Sequence, residues 1–253
     1  MKRAIGLSVL LVSSLAMADQ ANFTDAQKKE IQTMMHDYLV NQPEVLIEAS
    51  QALQQKQQQN MQTEVQHLIK AHTNEIFQDK YTTVGNPTGS VTMVEFFDYQ
   101  CGHCKKMGAV VSSVIKNSPN LRVVYKEFPI FGELSVTISK AALAAAMQHK
   151  YIEMHDALLQ ASGHLSLNDV MNIAKKLNLN MTQFKKDMDS DAVKQSLEEN
   201  RKLAEALHLM GTPAFIIAST PNGVYKEDVA KPVIFIPGAT SEAALMEMVK
   251  KTA

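Results

Sequence analysis

Cysteine is nearly missing from this 253-residue chain: there are two, and both fall in Cys101-Gly102-His103-Cys104. With no third cysteine, a bridge inside one chain must join that pair. Such a bridge closes too small a loop to brace a fold, so its use is chemical. No second Cys-x-x-Cys and no closely spaced histidine pair completes a four-ligand zinc set. A c-type haem needs histidine directly after the second cysteine, and residue 105 is lysine. The expectation is no metal and no cofactor beyond a reversible Cys101–Cys104 disulfide.

Long apolar runs are also scarce. Only Ala4–Leu15 qualifies, behind Lys2 and Arg3 and ahead of Ala16-Met17-Ala18. That order of charge, apolar stretch and small residues reads as a secretory signal over 1–18, cut after about Ala18. The stretch is too short to span a bilayer comfortably, and no cysteine follows it to carry lipid. Nothing later is apolar enough to span, so membrane insertion is not expected of the mature chain. Clusters of positive charge are missing too. Lys and Arg number 25 against 26 Asp and Glu, for a formal net charge of −1. Loss of the signal removes two more cations, so nucleic acid is excluded as the expected partner. In an oxidising compartment a structural cysteine pair becomes a permanent staple. A pair this close in sequence suggests instead a bond meant to be passed on.

Glycine and proline are missing from Glu44 to Val84. The preceding stretch begins with Thr24, a candidate N-cap with Gln27 three residues on. Ile31, Met34, Met35, Tyr38 and Leu39 form a helical stripe, punctuated by Asn41-Gln42-Pro43-Glu44, where Asn41 can cap a new helix. Leu46, Ala49 and Leu53 continue the spacing, and Met61, Val65, Leu68 and Ile76 resume it past the glutamine-rich Gln54–Asn60. Glutamine is a good helix former, so one long helix is expected, on the order of 50 Å at ~1.5 Å per residue. An amphipathic helix of that length with little of its own to cover it implies a second chain. The plainer alternative is that the stripe packs on its own subunit. The expected organisation is a signal over 1–18, a helical oligomerisation region over 19–80 and an α/β domain over 81–253.

Gly85-Asn86-Pro87 opens that last part. Val91–Phe97 is a buried strand, the stretch from Cys101 to about Lys116 a helix, and Leu121–Phe128 a second strand. A helical insert follows over about 135–210, with Ser166 capping one of its helices and Gly211 stopping the last. Strands Ala214–Ala218 and Val233–Ile236 flank a polar loop, and a helix from Ser241 closes the chain. Strand–helix–strand, a helical insert, then a strand pair and a helix make an α/β pattern.

Cys101 falls at a helix N-terminus, where unsatisfied N–H groups and the helix dipole favour thiolate over thiol. His103 adds a charge or a donor toward the same sulfur, and Gly102 keeps the approach open. That assigns the nucleophile to Cys101 and the resolving thiol to Cys104, one turn inward. Glu95 is the only acid in its apolar run, six positions before Cys101. In a central strand it is partly buried near Cys104, with a raised pKa that lets it accept or relay a proton; at a strand edge it would face solvent, which its apolar neighbours disfavour. Met107 is a candidate for a forgiving substrate surface. His149, His155 and His164 have no ligand spacing and read as ordinary residues.

Glu95-Phe96-Phe97-Asp98-Tyr99-Gln100-Cys101-Gly102-His103-Cys104, followed after a helical insert by Gly211-Thr212-Pro213-Ala214-Phe215, resembles the DsbA-type thiol-disulfide oxidoreductases of the thioredoxin superfamily. The resemblance covers about residues 82–252. It implies a thioredoxin fold with a helical insertion, a periplasmic setting and exported client proteins, unfolded or misoxidised. It also implies a cis bond before Pro213, which would let the backbone of Thr212 pair with a substrate strand, and a membrane redox partner of the DsbB or DsbD type. Three features depart from monomeric DsbA. Gly-His between the cysteines resembles protein disulfide isomerases, and threonine before the proline resembles the DsbC and DsbG type. The helices over Thr24–Lys80, with Asn41-Gln42-Pro43-Glu44-Val45, resemble the extension of oligomeric ScsC-like proteins. Together these imply combined oxidase and isomerase work in a homodimer or trimer joined through residues 24–80. Two other classes remain: an envelope chaperone or scaffold with incidental cysteines, and metal delivery through Cys101, Cys104 and His103.

Overall fold

The computed structural model describes residues 23–161, 163–227, 231 and 233–253. The signal over 1–18 lies outside the described residues, as does the side chain of Met61. Two compact units divide the chain after Gln57.

The first unit holds α1 (Asp25–Asn41) and the start of α2 (Glu44–Ala71). Thr24 caps α1 reciprocally: its hydroxyl accepts from the Gln27 N–H, and the Gln27 side chain accepts from the Thr24 N–H at 2.9 Å. Asn41 is the last residue of α1 and does not cap the next helix. Gln42 closes α1 by donating its N–H to the Tyr38 carbonyl at 2.9 Å. The glutamine-rich stretch is helical, so α2 is continuous from Glu44. Helix α1 buries none of its residues. Met34, Met35, Tyr38, Leu46, Ile47 and Leu53 are all more than half exposed.

The second unit begins inside α2, well before Gly85. Val65 and Ile69 of that helix, with Ile76 and Phe77 of α3 (Thr73–Phe77), sit in the same core as Val94, Phe96, Val124 and Ile216. Polar contacts fix the same segment. Lys126 pairs with Asp79 at 3.2 Å with both side chains almost covered, and Arg122 donates to the Phe77 carbonyl. Apolar burial thus begins at Val65, upstream of the change in composition near residue 81.

The sheet has the order β1-β3-β2-β4-β5, from β1 (Thr83–Gly85), β2 (Val91–Phe97), β3 (Leu121–Glu127), β4 (Ala214–Ser219) and β5 (Ile234–Ile236). Strands β2 and β3 are parallel and joined by α4 (Gly102–Asn117); β4 runs antiparallel to β2 and to β5. All seven residues of β2 are buried. A strand covered on both faces reads as a continuous apolar run, which Val91–Phe97 is apart from Thr92 and Glu95. Side chains alternate between faces. Val91, Met93 and Phe97 point into the core containing α4 and both cysteines, and Val94 and Phe96 into the one containing Val65 and Ile69. Glu95 shares the odd-numbered face, beneath the start of α4.

The helical insert comprises α5 (Glu133–Ala146), α6 (Tyr151–Gln160), α7 (Leu167–Lys176), α8 (Met181–Met188) and α9 (Asp191–Ala206), and α10 (Glu242–Thr252) ends the chain. Ser166 caps α7 with Asp169 as reciprocal partner, and Ser241 caps α10. Gly211 does not stop the insert. Helix α9 ends five residues earlier, where His208 takes a left-handed φ of 54°. There the Leu209 N–H reaches back to the Ala204 carbonyl and the His208 N–H to that of Glu205, leaving Gly211 free in the loop ahead of β4.

Candidate active site

Strand β2 ends at Phe97, and Asp98, Tyr99 and Gln100 carry the chain to Cys101 at the N-cap of α4. The cap has extended backbone (φ −73°, ψ 118°), and its side chain makes no capping hydrogen bond. The first N–H groups of α4 therefore open toward Cys101. Its Sγ lies 3.3 Å from the Thr212 carbonyl oxygen, to which the thiol donates. The Thr212–Pro213 peptide bond is cis. Both cysteines are free thiols; Cys101 is 4 % exposed and Cys104 fully buried. A side chain at Gly102 would meet nothing within 4 Å, so the outer side of the cap is open. His103 is exposed beside it, and among the described residues it makes no hydrogen bond to either sulfur.

Beneath the pair the surroundings are apolar, and the two ionisable groups there are pushed toward neutrality. Burial, and then the neighbouring Glu95, hold the Cys104 thiol well above its ordinary range. Glu95 is 1 % exposed, and one carboxyl oxygen has no hydrogen-bond partner. Desolvation, with a smaller contribution from Cys101, pushes it up to about 8. The structure thus brings together Cys101, Cys104, Glu95, Thr212 and Pro213. Met107 turns inward and is 2 % exposed, so it forms core and offers no substrate surface.

Sequence reasoning missed three features. Asp98 is fully buried and accepts four hydrogen bonds, from the Gln100, Ile130 and Phe131 N–H groups and the Ser135 hydroxyl. Its position two residues before Gln100, just past a strand, is the pattern of an Asx turn and could have signalled it. Lys105, in the first turn of α4, donates to the carbonyls of Ala161 and Gly163, and burial lowers its pKa. The third feature is a polar cluster in the core. Glu127 accepts from the hydroxyls of Tyr99 at 2.9 Å and Tyr151 at 3.0 Å, and His155 Nδ1 lies 3.1 Å from the Tyr99 hydroxyl. Burial pushes Glu127 up to about 8 and His155 down to about 3. His155 is therefore not an ordinary surface histidine, and no local spacing marks it.

A mixed five-stranded sheet, a cysteine pair opening the helix after its central strand and a cis-proline loop against the outer sulfur define a protein of the thioredoxin class. The chain belongs to the DSBA-like thioredoxin domain family, which matches residues 92–250. Residues 27–60 match the copper resistance protein ScsC N-terminal domain. Among solved structures, BcfH of Salmonella enterica Typhimurium is 31 % identical over 90 % of this chain and 96 % of its own, with a TM-score of 0.75. A thioredoxin-like oxidoreductase from Silicibacter pomeroyi DSS-3 is 35 % identical over 70 % of this chain and 95 % of its own, with a TM-score of 0.62. Of curated relatives, the Na(+)/H(+) antiporter NhaA 1 of Salinispora arenicola is 28 % identical over 129 residues. The match spans 50 % of this chain but only 20 % of that protein. No helix among the described residues is long and apolar enough to cross a membrane.

Proposed function

We propose that this chain is a periplasmic thiol-disulfide oxidoreductase acting on exported proteins through Cys101 and Cys104, as oxidase and isomerase. The observation that carries the reading is the stacking of the site: an approachable sulfur at a helix start, a buried thiol one turn in, and a buried carboxyl below.

In the oxidising direction a client thiolate attacks Cys101 Sγ of the Cys101–Cys104 disulfide. The S–S bond breaks, its electron pair leaves on Cys104 Sγ, and neutral Glu95 supplies the proton. A second client thiolate then attacks the client sulfur of the mixed disulfide and releases Cys101. In isomerisation the reduced Cys101 thiolate attacks a wrong client disulfide. Cys104 provides escape: Glu95 in its ionised form takes the Cys104 proton, Cys104 Sγ attacks Cys101 Sγ, and the electron pair leaves on the client sulfur. Thr212, beside the reacting sulfur, offers its backbone to the client strand. The direct test is turnover. The purified chain should catalyse reduction of insulin by a dithiol and refolding of scrambled RNase, and a folded chain that does neither contradicts the reading.

Exported clients, the signal over 1–18 and recharging by a membrane partner of the DsbB or DsbD type belong to the same proposal. Thiol trapping in cells is expected to find the pair in a mixture of oxidised and reduced forms, as dual activity requires. The exposed apolar side chains of α1 and early α2 support self-association as a homodimer or trimer. Removing residues 19–57, a cut that spares Val65 and Ile69, should reduce the mass in solution to that of a monomer. An intact chain that is already monomeric would sink that part.

A further inference from the structure

Asp98 holds two segments together that are distant in sequence. Its Oδ1 accepts from the Gln100 N–H at 2.7 Å and the Ser135 hydroxyl at 2.8 Å. Its Oδ2 accepts from the N–H groups of Ile130 at 2.7 Å and Phe131 at 3.1 Å. Its own carbonyl accepts the Cys101 N–H at 3.1 Å. One buried carboxylate thus grips the segment that presents the reactive sulfur and, on its other oxygen, the loop between β3 and α5. That loop exposes Ile130 at 41 % and Phe131 at 56 %, two large adjacent apolar side chains with their backbone tied down. A mobile loop could swing such side chains away from water; a pinned one must keep presenting them. Consecutive backbone N–H groups bound by one carboxylate oxygen leave little freedom there.

We infer that Asp98 is a positioning residue that fixes the Ile130–Phe131 tip relative to Cys101, so that the tip receives an apolar segment of an unfolded polypeptide next to the cysteine being exchanged. The inference rests on the thiol-exchange reading and names what presents the client to it. Small dithiols carry no such segment and are indifferent to the tip. An unfolded chain gains from both contacts at once only while their spacing is held, because loss of preorganisation is paid on binding. Asparagine at 98 keeps the shape but replaces one acceptor oxygen by a donor nitrogen, so that the backbone N–H on that side loses its acceptor and the grip across both segments weakens.

The test combines Asp98→Asn, Phe131→Ala and the double variant, assayed with dithiothreitol alone and with scrambled RNase. Phe131→Ala should raise KM for the protein about fivefold to tenfold with kcat and dithiothreitol exchange unchanged, the scale of one apolar contact. Asp98→Asn should raise the protein KM likewise, with a smaller loss toward dithiothreitol because its backbone carbonyl still holds the Cys101 N–H. The double variant should lie within about twofold of the larger single effect, because both act through one tip. Multiplying effects in the double variant would overturn the inference. So would unaltered protein kinetics in Phe131→Ala, a surface change that spares the core and decides the matter even if Asp98→Asn fails to fold. Equal loss toward dithiothreitol in Asp98→Asn would show that Asp98 acts on the sulfur itself, and would also overturn it. A wild-type chain inert toward dithiothreitol fails the thiol-exchange reading, a result distinct from all of these.

Discussion

Cys101→Ala is expected to lose insulin reduction and RNase refolding down to the uncatalysed background, a fall of roughly 10³-fold or more, or about 4 kcal/mol of barrier. The size follows from the order of events. Every proposed step forms or breaks a bond to Cys101 Sγ, and the other thiol of the chain does not reach the surface. Cys104 is fully buried and held as a thiol by burial and by Glu95. Removing Cys101 therefore leaves Cys104 without a bond to attack, and it cannot take over. Cys104→Ala should behave differently. It keeps the attacking sulfur but loses the escape step, so client adducts persist where the wild type releases them. Two cysteines of equal weight would give two equal defects. Folding should survive Cys101→Ala, because Gly102 and the cap are open on their outer side and α4 is packed by Val111 and Val114.

The second large effect is on stability against pH in the reduced protein. Glu95 and Glu127 have ordinary carboxyl pKa values of 4.5 when exposed, and about 8 in the fold. A group whose folded pKa is raised stabilises the fold fully below its unfolded pKa, and that contribution is lost as pH rises through the folded one. His155 runs the other way: its ordinary 6.5 falls to about 3, so it costs stability only below 6.5. Between pH 6.5 and 8 the two carboxyls act alone. Unfolding free energy should therefore fall with rising pH, by at most about 1.4 kcal/mol per pH unit for each group. Denaturant unfolding at pH 6.5 and 8 reads this directly. Glu127→Gln should remove about half of the fall, since an amide oxygen still accepts from Tyr99 and Tyr151. Glu95→Gln should remove the other half and also slow client release, because Cys104 loses the group that takes its proton. A flat profile in the wild type would mean that neither carboxyl is held neutral by the fold.

What the sequence alone made legible was local or bound to a strand's periodicity. The reciprocal caps Thr24–Gln27 and Ser166–Asp169 join residues three apart, so their geometry is written in their spacing. Glu95 stood out because one acid in an apolar strand has nowhere to go but a buried face. Cys101, Thr212 and Pro213 were found through two short motifs, although 111 positions separate the sulfur from the carbonyl that it touches. The rest depended on contacts that no spacing encodes. Asp98 acquires its role only when Ile130, Phe131 and Ser135 fold over it. Glu127, Tyr99, Tyr151 and His155 come from β3, the loop after β2, and α6, and each reads alone as an unremarkable polar residue. Composition put the change of character near residue 81, yet Val65, Ile69, Ile76 and Phe77 pack in the sheet's own core. A helical stripe records that a face is buried, but not what buries it. The end of α9 shows the same limit. A glycine is the default helix stop, and here a histidine at φ 54° supplied the turn instead.

The most direct test of the central claim is mass spectrometry of reduced Cys104→Ala after incubation with scrambled RNase. The account predicts a stable one-to-one mixed disulfide, with the client sulfur bonded to Cys101 and the adduct abolished by Cys101→Ala. A client captured through any other residue, or no adduct while the folded variant still refolds RNase, would contradict it.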